Sequence, residues 1–128
     1  MSREYEEAIL LLDTQGSAGR RKRLFQARRY LELATARRPK HASAQAALGY
    51  TNDQLGGRDE QALACFHEAL RLDPGDRISE VYALTLLTHM GRERQALAGI
   101  RAAAKRHARD HPWGRRSGDD RNARGNRR

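Results

Sequence analysis

The chain is short of most of what builds sheets, disulfides and metal sites. Its 128 residues include one cysteine, three prolines, two phenylalanines and one tryptophan. A lone thiol, Cys65, forms neither an internal disulfide nor a zinc finger. No run approaches the roughly 18 apolar residues of a membrane span. The opening segment, MSREYEEAILLLD, places acids ahead of a short apolar run, so it does not read as a secretory signal. Without β-branched runs, an all-β sandwich is not expected. Aromatic residues are only 5% of the sequence, so the core must be built from alanine and leucine.

Charge is plentiful but unevenly placed. The formal net charge is +9. Residues 1–100 hold 15 Lys and Arg against 13 acids, while residues 101–128 hold 10 against 3. The body is therefore nearly neutral and the end is basic. From His111 the sequence reads HPWGRRSGDDRNARGNRR, with no apolar period. Such a segment buries too little apolar surface to offset its ordering entropy, so residues 111–128 are expected to be a disordered basic tail. A second basic run, Arg20, Arg21, Lys22 and Arg23, lies within the body.

The body repeats. Ala27, Leu31, Ala34 and Pro39 recur 35 residues later as Ala62, Phe66, Ala69 and Pro74. The first three recur again after 34 residues as Ala96, Ile100 and Ala103. Within each unit the apolar residues fall at i, i+4 and i+7, one face of a helix. A partner helix precedes each: about Arg3 to Thr14, Ser43 to Leu55, and Ser79 to Met90. Gly56-Gly57 and Gly91 end the second and third of these, where glycine takes the left-handed closing turn. GSAGRRKR reads as an enlarged turn in the first unit. Asp59 and Asp76 are expected N-caps. Asp73-Pro74-Gly75-Asp76 is turn chemistry. Ala27, Ala62 and Ala96, with Gly49, are expected to permit close helix approach. Leu31, Phe66 and Ile100 are expected to fill the gap to the following unit.

Leu48-Gly49, then Ala62, Phe66, Ala69 and Pro74, at a period near 34, resemble the tetratricopeptide repeat. The middle unit has one extra residue between Leu48 and Ala62 and lacks the family's tryptophan, and the third lacks the closing proline. The resemblance covers about residues 3–108. It implies an all-α fold of three helix-turn-helix pairs, about 3–39, 41–75 and 77–108, stacked as a short right-handed superhelix within residues 1–110.

The resemblance also implies that the first helices of the pairs line a concave face. Tyr50, Asp53, Gln54, Tyr82, Thr85 and His89 would lie there, joined by Glu6, Leu10 and Asp13 from the first unit. The expected function is protein–protein binding, with a peptide segment of a partner in that groove. The two tyrosines have an alternative as packing residues with solvated hydroxyls. Asn52, alone in the body, makes no clamp for an acidic peptide terminus.

Two other functions compete. One is a nucleic-acid-associated adaptor. Arg20, Arg21, Lys22 and Arg23, with Arg115, Arg116, Arg121, Arg124, Arg127 and Arg128 of the tail, would contact a polyanion, giving weak non-specific nucleic-acid binding. Asp119 and Asp120 interrupt that charge. Trp113 would stack on a base or fold back onto the last helix. The other is a self-assembling scaffold, a homo-oligomer joined through terminal repeat faces if Ala98, Ile100 and Ala104 form an exposed stripe. His107 and His111 have a metal-like spacing but no third ligand. No catalytic constellation is legible. The chain is therefore read as a non-enzyme, with no cofactor, no metal, no membrane contact and a cytoplasmic location.

Overall fold

The computed structural model describes residues 3–110, with side chains described as far as Arg106. The described residues form six helices and no strand: α1 (Arg3–Asp13), α2 (Arg20–Arg37), α3 (Ala42–Leu55), α4 (Asp59–Leu72), α5 (Arg77–His89) and α6 (Glu93–Asp110). The chain divides into two compact units. The first, Met1–Met90, holds α1 to α5, and the second begins at Gly91 and holds α6.

In the first unit, packing runs between successive helices: α1 on α2, α2 on α3, α3 on α4 and α4 on α5. That order is consistent with a helical repeat. The buried stripe of α2 is Leu24, Ala27, Leu31 and Ala34, and that of α4 is Ala62, Leu63, Phe66 and Ala69. Both stripes mix alanines with large residues, so neighbouring backbones approach closely at the alanines. Ala8, Ala27, Leu31 and Leu48 form one buried cluster joining α1, α2 and α3, with Tyr5, Ala47 and Cys65 packed against it.

Gly49 shows how tight the packing is. A Cβ there would stand 3.0 Å from two ring carbons of Phe66. Tyr82 of α5 also stacks on that ring, at 5.2 Å between centroids. Phe66 is 1% exposed, so glycine is what lets the ring lie against α3.

The ends of the helices follow local chemistry. Asp76 caps α5, its Oδ1 accepting from the Ser79 N–H at 3.2 Å and its Oδ2 from the Ser79 hydroxyl at 2.7 Å. The α3 cap is His41, whose Nδ1 accepts from the Ala44 N–H at 2.9 Å. Asp59 is not a cap. It is the first residue of α4, and Arg58 precedes it without a side-chain cap bond. An acid at that place still meets the positive end of the helix dipole. Nor is GSAGRRKR an enlarged turn throughout. Gly19, at φ 71°, is the last non-helical residue, and Arg20–Arg23 form the first turn of α2. Arginine and lysine are good helix formers, which the charge run obscured.

In the second unit, α6 buries Ala96 and Ala103. Ile100 does not take the filling role expected of it and is 48% exposed. That position serves to meet a following helix, and none follows among the described residues.

Candidate functional site

Three of the expected surface residues come together between α3 and α5. The Tyr50 and Tyr82 rings meet edge-on, 5.8 Å apart and at 74°. Both side chains are half-buried. Burial pushes the Tyr82 phenol up from its ordinary value, and Tyr50 and the Asp53 carboxylate push it the same way. Tyr82 therefore remains a neutral hydrogen-bonding group at neutral pH. Its ring also stacks on Phe66, so the aromatic platform is anchored in the core.

Asp53 and Gln54 continue the patch along α3. Gln54 Nε2 donates to Asp53 Oδ2 at 3.3 Å, and Gln54 Oε1 accepts from Arg20 Nη2 at 2.6 Å. The resulting row presents two phenols, a carboxylate, an amide and a guanidinium. Such a mixture of aromatic bodies with polar tips suits a peptide, which offers both apolar side chains and backbone hydrogen-bonding groups.

The remaining expected residues lie apart from this row. Thr85 is exposed, and its hydroxyl donates to the Val81 carbonyl at 2.8 Å on its own helix. His89 is exposed and stands 3.9 Å from Asp59 of α4. Glu6 and Leu10 lie on the outer face of α1, with Leu10 65% exposed. Asp13 borders an open depression of about 470 Å³ over the α1–α2 turn, shared with Gln15, Ser17 and Arg20.

The basic run works largely within the fold. Arg21 Nη1 donates at 3.1 Å to the Leu55 carbonyl, the last residue of α3. A cation at that end satisfies a carbonyl left open by the helix and meets the negative end of its dipole. Arg21 and Arg28 also lie over the Phe25 ring, at 5.3 and 5.9 Å. Arg23 turns back to the Gly16 and Ala18 carbonyls, at 2.6 and 2.7 Å, and closes the turn ahead of α2. Only Lys22 of the four makes no such bond among the described residues. The tail residues Arg115, Arg116, Arg121, Arg124, Arg127 and Arg128, with Trp113, lie outside the described residues, as does His111.

Cys65 lies half-buried against the α2–α3 core, and burial pushes its thiol up from the ordinary value while a hydrogen bond from Asn52 pulls it partly back. Asn52 is buried and faces this thiol rather than a surface. Among the described residues, no three His, Cys, Asp or Glu side chains are grouped to hold a metal ion. No described helix is long and apolar enough to cross a membrane.

Sequence reasoning missed one surface. Glu7 and Leu11 of α1 with Gln26, Arg29, Tyr30 and Leu33 of α2 line an open groove of about 560 Å³. The available signal was the pair Tyr30 and Leu33, two large residues beside the Leu31–Ala34 stripe rather than on it.

Compared with known protein families, curated proteins and solved structures, the chain matches none.

Proposed function

We propose that the chain is a protein-interaction module or adaptor. In this reading it is a short tetratricopeptide-like stack of three helix pairs, wound as a right-handed superhelix and working in the cytoplasm. A peptide segment of a partner protein lies along its concave face. The observation that carries the reading is the meeting of Tyr50, Tyr82 and Asp53 between α3 and α5, extended by Gln54 and Arg20. The tyrosines offer broad contact area at little entropic cost, and their neighbours offer both hydrogen-bond signs. The platform is already rigid, because Tyr82 is stacked on Phe66. A pre-formed surface loses less freedom when it binds.

The test is a pull-down from native lysate at low and moderate salt, with the full chain and with a chain ending at residue 110. The same few proteins should be captured by both and should survive the salt. Capture that is mainly nucleic acid, falls with salt and vanishes with the tail would replace this reading with the polyanion adaptor.

A further inference from the structure

The repeat register singles out a face of α6 whose central position is covered in both earlier repeats. Leu97, Ile100 and Ala104 stand 34 residues after Leu63, Phe66 and Leu70, which in turn stand 35 after Arg28, Leu31 and Thr35. In the earlier repeats the central one of these positions lies under the next helix. Leu31 is packed with Leu48 and Ala47 of α3, and Phe66 is stacked under Tyr82 of α5. Leu31, Phe66 and Leu63 are 0%, 1% and 5% exposed. Their α6 counterparts are open: Leu97 is 52% exposed, Ile100 48%, and Ala104 is exposed as well. Leu97, Ile100 and Ala104 share one side of the helix by their i, i+3, i+7 spacing. The stripe thus has the residue types of a face built to carry another helix.

The charges around it indicate which helix fits. Arg94, Arg101 and Lys105 run beside the stripe, all exposed and none paired among the described residues, with Glu93 at its start. The 18 residues after Asp110 offer one large apolar side chain, Trp113, and six arginines against two aspartates. They match the stripe neither in apolar period nor in sign. A two-fold contact of α6 with itself would bring Arg94, Arg101 and Lys105 against one another, which is unfavourable. The outer face of α1 is acidic on the helix itself, with Arg20 of α2 across the depression beside Asp13. Glu6 and Asp13 flank Leu10, the one large exposed apolar side chain of α1, with Arg3 a turn before Glu6.

We infer that the Leu97–Ile100–Ala104 face of α6 docks the Glu6–Leu10–Asp13 face of α1 in a second copy of this chain. The contact is heterologous, since two different patches meet, so it can propagate from copy to copy. It does not rest on the peptide-groove reading, because Tyr50, Asp53 and Tyr82 take no part in it.

Sedimentation velocity of the full chain over a wide concentration range tests this. The wild type should show mass rising above the 14.5 kDa monomer with concentration, and less steeply at high salt. Leu10→Lys and Ile100→Glu, both at exposed positions and each of the sign its partner face repels, should each shift the association midpoint at least tenfold toward higher concentration. Mixed together they should form a one-to-one dimer and nothing larger, because each retains one good face. Unchanged helical circular dichroism in both variants confirms that they fold. A wild type that stays monomeric throughout overturns the proposal. So does self-association that Leu10→Lys leaves intact, or a mixture that fails to pair.

Discussion

Gly49→Ala sets two known effects against each other at one position. Alanine in place of glycine inside a helix favours the helix by about 1 kcal/mol. On an open surface the substitution would therefore stabilise. Here the new methyl would stand 3.0 Å from Phe66 Cε1 and Cζ and 3.1 Å from Cδ1. Carbon contacts of that length are repulsive. The ring cannot easily retreat, because Tyr82 is stacked on it and Phe66 is almost fully buried. Overpacking of this kind costs about 1–3 kcal/mol. The expected net is a loss of roughly 1 kcal/mol, or a fall in Tm of about 4–8 °C for a domain of 60–100 residues. Thermal unfolding followed by circular dichroism reads it directly. Repeating the substitution in a Phe66→Leu background sharpens the test. With the ring gone the methyl has room, so Gly49→Ala should become neutral or stabilising there. A rise in Tm on the wild-type background would refute the reasoning, since it would mean α3 and α4 are not held together through this contact.

Three further outcomes follow from local chemistry. Asp76→Ala removes the cap of α5, with both of its bonds to Ser79, and should lower unfolding free energy by about 1 kcal/mol in a urea titration, while Asp76→Asn should retain most of it. Arg21→Ala opens the Leu55 carbonyl and removes a cation from the end of α3; the exposed site limits the expected loss to roughly 0.5–1 kcal/mol, and the same change at Lys22 should leave urea stability unaltered. Cys65 should react slowly with a disulfide reagent in the folded chain, with a pH profile displaced upward from that of the urea-unfolded chain, because burial disfavours the thiolate. Its raised value also sets a sign: the contribution to stability is complete below the unfolded thiol's pKa and is lost as pH rises through the folded one.

The helices were legible because their signals are local and redundant. The 34–35-residue recurrence of Ala27, Ala62 and Ala96 located α2, α4 and α6, and glycine or Asp-Pro-Gly turns bounded α3 and α5. The two misread boundaries have separate causes. Arg20–Arg23 looked like a solvated turn because four like charges at a helix start oppose the dipole. What offsets that cost is contact with the carboxyl end of α3 and the preceding turn, and these partners are 34 residues away for Arg20 and Arg21. Asp59 and Asp76 are equally good cap residues by type, and only the backbone at each start separates them. The site was legible in part. Tyr50, Asp53 and Tyr82 could be assigned to first helices from spacing alone, whereas their meeting depends on α3 and α5 both packing on α4. The groove between α1 and α2 arises from two helices whose facing residues show no joint pattern in the chain. The exposure of Ile100 could not be read from its apolar character, because the same position in the two earlier units is fully covered.

The most direct test of peptide binding at the Tyr50–Asp53–Tyr82 surface is a lysate pull-down comparing the full chain with an Asp53→Lys variant at two salt concentrations. Asp53 lies on the proposed surface and outside the buried core, so the variant should keep the wild-type Tm. The account predicts a small set of proteins captured by the wild type at both salts and lost at least tenfold by the variant. Identical capture by the two chains would contradict it.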